Sequence, residues 1–196
     1  MTGGHSLLEL LVVLALIGMM VFLGTGNLRS TERQRDFDLF AKEVFSMLET
    51  CRWKALNERV YAGAVLRKTT GAYLLSFYLD GNGNGIRQRD ILEQKDQSFR
   101  TPMQLERASG DLAPGILAES IPEIPPKKGV LDAGDPVRFG KSDIISFSPN
   151  GDSSSGTLYL ACRSRQQMYA IVLYGPTARM SLWKFSNQKW QMVGDQ

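Results

Sequence analysis

The residues able to do chemistry are few, and they fall in three places. Glu9 is the one charge in an otherwise apolar run from Leu7 to Leu23. A carboxylate in such a run is costly and needs a partner. Asp80, Asn82 and Asn84 stand at the first, third and fifth positions of an EF-hand loop, with Gly85 at the sixth. Ile91 occupies the last position, which needs a bidentate carboxylate; Asp90 lies one residue early, and Arg87 and Arg89 add positive charge. The loop reads either as a weak calcium candidate made of Asp80, Asn82, Asn84 and Asp90, or as a glycine and asparagine turn. The third place is the last third of the chain. Arg163, Arg165, Arg179, Lys184 and Lys189 face only Asp195 there, with Tyr174, Trp183, Phe185 and Trp190 interleaved. Such a surface either grips phosphates and stacks bases, or is a solvated basic face over inward aromatics.

Other chemistries are excluded by what is missing. The one histidine is His5, beside the apolar run. The rest of the chain therefore cannot build a Ser-His-Asp or Cys-His site. Cys51 and Cys162 are the only cysteines, too few for a closed zinc site. They either pair in an oxidising compartment or stay separate buried thiols. No cofactor and no enzymatic activity are expected. With 196 residues and a net charge of +3, the part after the apolar run is large enough for one domain with a sizeable core.

The elements that must position these residues follow from periodicity. Leu7 to Leu23 reads as a helix nearly long enough for a hydrocarbon core, without the basic n-region or small-residue cleavage site of a secretory signal. Gly24 to Asn27 is a weak point. Phe37, Phe40, Ala41, Val44, Phe45, Leu48, Cys51, Ala55 and Leu56 then fall on one helical stripe, so Asn27 to Arg59 reads as an amphipathic continuation. Residues 61–67 and 73–79 read as a hairpin, with a further strand near 104–107. Residues 112–142 are Pro- and Gly-rich and read as a long irregular excursion. Residues 143–147, 156–162, 168–173 and 180–185 read as a final antiparallel run.

Two stretches carry a resemblance. Gly4-His5-Ser6-Leu7-Leu8-Glu9-Leu10-Leu11-Val12-Val13 resembles the processing signal of type IV pilins and pseudopilins, with the glycine, Ser6, Leu7, Leu8 and Glu9 in register. Phe147-Ser148-Pro149-Asn150-Gly151, followed by Gly156-Thr157-Leu158-Tyr159-Leu160, resembles the minor pseudopilin H and fimbrial T (GspH/FimT) branch. The resemblance implies a leader of residues 1–4, a transmembrane or filament-core helix over 5–26 and a periplasmic domain over 27–196. It implies cleavage after Gly4 by prepilin peptidase, N-methylation of His5, and pairing of Glu9 with the new amine of a neighbouring subunit. The implied fold is α+β and pilin-like: a long N-terminal helix, membrane-spanning in one half and amphipathic in the other, packed on antiparallel β-sheet. The implied protein is a minor pilin or pseudopilin of a type II secretion system or type IV pilus, priming assembly or placed at the tip. Its partners would be prepilin peptidase, other pilins, the inner-membrane assembly platform and membrane lipid. Some fimbrial T-like proteins bind DNA through Gly-Arg-x-Arg; Ala178-Arg179-Met180-Ser181 aligns there and keeps one arginine. DNA, through Arg179, Lys184, Arg163 and Arg165, is thus the alternative partner.

Overall fold

The computed structural model describes residues 7–70, 72–106, 112–117, 120–162 and 167–195, and their side chains except those of 21–35 and 112. Helix α1 runs Leu7–Glu58. The chain divides into two compact units, Met1–Phe40 and Ala41–Gln196. In the first unit every described side chain from Leu7 to Met20 is exposed. Phe37 and Phe40 are buried.

The second unit is built of strands. β1 (Ala62–Thr69) and β2 (Ala72–Leu79) form a hairpin. The short helix α2 (Gln88–Leu92) and β3 (Gln97–Gln104) follow. Within the excursion lie β4 (Leu112–Pro114) and β5 (Val137–Arg138). β6 (Ile144–Phe147), β7 (Gly156–Cys162), β8 (Gln167–Tyr174), β9 (Arg179–Ser186) and β10 (Lys189–Asp195) complete the order. A four-stranded sheet has the order β3-β2-β1-β6, and a larger one runs β10-β9-β8-β7-β4 with β5 also on β7. Every pairing is antiparallel.

The α+β, pilin-like expectation is corrected by this architecture. The described chain is mostly β-sheet, and only the part of α1 from Ala41 onward shares a compact unit with the strands. Among the described residues no helix is long and apolar enough to cross a membrane. The physical reason is that the described strands pair into two antiparallel sheets, each covered on one face by a segment outside any long helix.

Strand β1 sets the plan of the first sheet. Its residues Ala62 to Leu66 are all buried, so it needs cover on both faces. Cross-strand partners share a face. Ala62, Ala64 and Leu66 stand opposite Leu79, Phe77 and Leu75, and opposite Phe147 and Ile145 on the other side. Phe77 meets the Phe99 ring at 6.0 Å, and the Lys54 ammonium lies 5.1 Å from that same ring. The C-terminal turns of α1 therefore lie on this face, where Val44, Leu48, Cys51 and Ala55 are buried. Val65 and its partner Ile144 point the opposite way and cluster with Ile86, Ile91 and Tyr78. That face is covered by the segment between β2 and β3.

The second sheet gains its cover from the Pro-rich segment. Tyr159, Ala161, Met168, Ala170 and Phe185 share one face by register and are buried beneath Leu117, Ile121, Ile124 and Leu131. The segment folds back on itself: Leu131 N–H donates to Ile121 O at 2.8 Å and Glu123 N–H to Gly129 O at 3.0 Å. Trp190 Nε1–H donates to Pro122 O at 2.8 Å. Arg138 stacks 5.2 Å over the Tyr159 ring while its guanidinium donates to Asp132 O and Asp135 O. The excursion is a roof over a sheet.

Two other expectations are revised in detail. The third strand lies at Gln97–Gln104, earlier than 104–107. The strand at Ile144–Phe147 joins β1 rather than the C-terminal run. No disulfide joins Cys51 and Cys162, and both are buried.

Two measurements follow. Ile121→Ala should cost about 2–5 kcal/mol in urea unfolding, because a fully covered aliphatic is removed. Val130→Ala, at an exposed site in the same segment, should stay within about 0.5 kcal/mol. Burial pushes the Cys51 thiol up to about 12, against a smaller pull downward from Arg100. It stays protonated through neutral pH, and thiolates are what alkylating reagents attack. Iodoacetamide at pH 8 should leave Cys51 unlabelled in the native protein and label it in urea, as read by peptide mass spectrometry.

Candidate functional site

The loop between β2 and β3 gathers functional groups into one hydrogen-bonded cluster. Its first anchor is Asp80, which is buried at the end of β2. Its N–H donates to Tyr61 O at 2.9 Å, so the strand pairing continues one residue past the hairpin arm. Its carboxylate then organises the chain that follows. Oδ1 accepts the N–H groups of Asn82 and Gly83, both at 2.9 Å, and Oδ2 accepts that of Gly85 at 2.6 Å. The far end is held the same way. The buried Asp96 carboxylate accepts Gly81 N–H at 3.4 Å and Arg87 N–H at 3.1 Å.

Glycine is required at two points of this loop. A side chain at Gly81 would run into the Lys95 carbonyl oxygen, where the two ends of the loop cross. Gly85 turns with φ +85, in the left-handed region that other residues enter at a cost.

Helix α2 aims Asp90 back into the loop. The N–H groups of Lys95 and Asp96 donate to its carbonyl at 2.8 and 3.2 Å. The side-chain amide of Asn84 hydrogen-bonds to its carboxylate and holds its pKa below the ordinary range. The Asn82 amide and the charges of Lys95 and Arg87 act in the same direction, against desolvation. Ile86 and Ile91 pin the loop to the sheet through Val65 and Ile144. The four residues of the calcium spacing, Asp80, Asn82, Asn84 and Asp90, are thus brought together. Asp96, which fastens both arms, lies beyond that spacing, and no local pattern pointed to it. Among the described residues no three His, Cys, Asp or Glu side chains converge as a metal set. The cluster consists of carboxylates and amides.

The other sites are placed separately. Gly4 and His5 lie outside the described residues, as do Arg163 and Arg165. Glu9 is exposed in the first turn of α1. Arg179 opens β9 and is paired with Asp195 of β10, Nε donating to Oδ1 at 2.8 Å. The pair borders a groove with Val172, Tyr174, Ser181 and Met192. The Lys184 ammonium sits 5.4 Å over the Tyr169 ring. Trp183 and Trp190 pack against the core under the roof rather than outward as a stacking platform.

Asp80→Asn should destabilise the protein by about 1.5–3 kcal/mol, since one of the oxygens receiving backbone N–H groups is replaced by a donor. Chemical denaturation with matched m-values checks it.

The chain matches no protein-family model, no curated protein and no solved structure.

Proposed function

We propose that the chain is a minor pilin or pseudopilin of the GspH/FimT kind, a structural subunit and not an enzyme. It is made as a precursor, held in the inner membrane by its apolar run with the C-terminal domain in the periplasm. Prepilin peptidase cuts after Gly4, and His5 becomes the methylated N-terminus. The subunit then enters a type II secretion pseudopilus or a type IV pilus, where it primes assembly or sits at the tip.

The observation that carries this reading is the first unit. Leu7, Leu8, Leu10, Leu11, Leu14 and Ile17 are all more than half exposed on a helix. A row of this kind loses about 25 cal/mol for every Å² left in water, so it must be covered by lipid or by other chains. The processing motif lies directly ahead of it. Bundling with the same helix of neighbouring subunits would supply the cover. Apolar contacts alone leave such helices free to slide. Glu9 near the start supplies register, because the amine that cleavage creates on an adjacent subunit can pair with it.

The test is mass spectrometry of the protein made with and without an active prepilin peptidase. The expected product begins at methylated His5; an intact Met1 beside a working peptidase overturns the reading. Gly4→Ala should block processing. Glu9→Ala should be processed normally yet fall about tenfold or more in sheared filaments, the scale expected for an orphaned buried charge. Normal incorporation of Glu9→Ala would remove the register role.

A further inference from the structure

We propose that the loop from Asp80 to Asp96 is a binding site for a hard divalent cation of the calcium class, held by Asp80, Asn82, Asn84 and Asp90. The inference is independent of the filament reading and rests on one oxygen. Asp80 and Asp96 have both carboxylate oxygens occupied by backbone N–H groups. Asp90 is as buried as they are, at 5% exposure, but among the described residues no donor reaches its Oδ2. Buried carboxylate oxygens normally have partners, because desolvating an unpaired one is expensive. A cation placed between Asp90 and Asp80 supplies what the protein does not.

The ligand chemistry selects the kind of cation. Two carboxylates and two side-chain amides offer oxygen only, with two negative charges and neither thiolate nor imidazole. That suits calcium and not zinc or copper. Asn82 and Asn84 now turn their amides toward Asp90. Amide nitrogen and oxygen are nearly the same size, so a half-turn of the Asn84 side chain presents oxygen to the centre instead. Asn82 Oδ1 takes Asn84 N–H at 3.3 Å and keeps a second lone pair. Asp80 receives three N–H bonds on two oxygens and has a lone pair to spare. Asp96 does not face the cation; it ties Gly81 and Arg87 together behind the loop.

The departure from the EF-hand pattern is resolved by α2. Its single turn carries Asp90 inward, so the carboxylate one position early does the work of the missing terminal one. The charges around it limit affinity. Arg87 and Lys95 both act on Asp90. Lys95 is drawn off by Glu93 at 2.7 Å, which also holds Arg89 at 2.7 Å. The expected dissociation constant is of order 10⁻⁴–10⁻³ M, the range of extracellular calcium modules.

Tyr61 gives the test its reporter, since a side-chain atom at Gly85 would lie 4.0 Å from its ring. The full chain in detergent is titrated with TbCl3 under tyrosine excitation. Sensitised luminescence should appear and be displaced by CaCl2. Saturating CaCl2 should also raise Tm by about 5–10 °C at a hundredfold excess over Kd. Asp90→Asn should weaken both responses about tenfold or more, while its circular dichroism stays that of the parent. Asn82→Ala, on the exposed side of the loop, should weaken them too, which keeps the test open if Asp90→Asn misfolds. The proposal is overturned by absent luminescence with an unmoved Tm, by a response that survives both ligand substitutions, or by MgCl2 matching CaCl2.

Discussion

Apolar surface that the chain cannot leave in water dictates most of this structure. A strand buried on both faces, β1, demands a layer on each side. The last turns of α1 supply one layer and the loop between β2 and β3 the other. The second sheet exposes a broad face through Tyr159, Met168 and Phe185, and the Pro-rich segment folds over it. Among the described residues the same demand is unmet at residues 7–20, whose side chains are exposed. Two apolar faces of the second unit are closed internally, whereas the proposed function gives the exposed face of the first to lipid or to other chains. That contrast connects the core to the proposed role in assembly.

Polar groups do a second job, which is to fix irregular chain where no ladder can. Asp80 and Asp96 hold the loop on the first sheet by taking its N–H groups. Arg138 and Trp190 hold the roof on the second by donating to its carbonyls. Both devices lie next to a sheet, so each covering segment is docked by apolar contact and oriented by a few hydrogen bonds. The aromatics of the basic C-terminal region belong to this work. Trp190 is spent on the roof, and Arg179 is spent on Asp195.

Much of this was legible in the sequence, for physical reasons that also explain the gaps. The β1-β2 hairpin and β7, β8 and β9 announce themselves by β-branched and aromatic residues between turn residues. The helical stripe from Ala41 to Ala55 is visible because a period of 3.6 selects it. Strand β10 was missed because Asn187 and Gln188 form its hairpin loop at φ +51 and +62 without the glycine that marks such turns. Strand β3 was displaced because Gln97 to Gln104 carries few apolar residues and includes Pro102. The roof was invisible: Leu117, Ile121, Ile124 and Leu131 follow no period, since irregular chain has none. In the loop, spacing exposed Asp80, Asn82 and Asn84. The inward turn of Asp90 depends on a helix of one turn, and Asp96 on closure across the whole segment, and neither leaves a local pattern.

The pairing of β6 with β1 has a temporal side. Ala62 to Val65 take their second partner from Ile144 to Phe147, roughly eighty residues further along, which a ribosome adds in about 4–16 s. Until then the β1 side of the hairpin keeps its hydrogen-bonding edge unpaired, even after β3 has covered the β2 side. The first sheet is thus completed only after most of the chain has been made, and an unpaired strand edge is a template for wrong pairing for as long as it lasts.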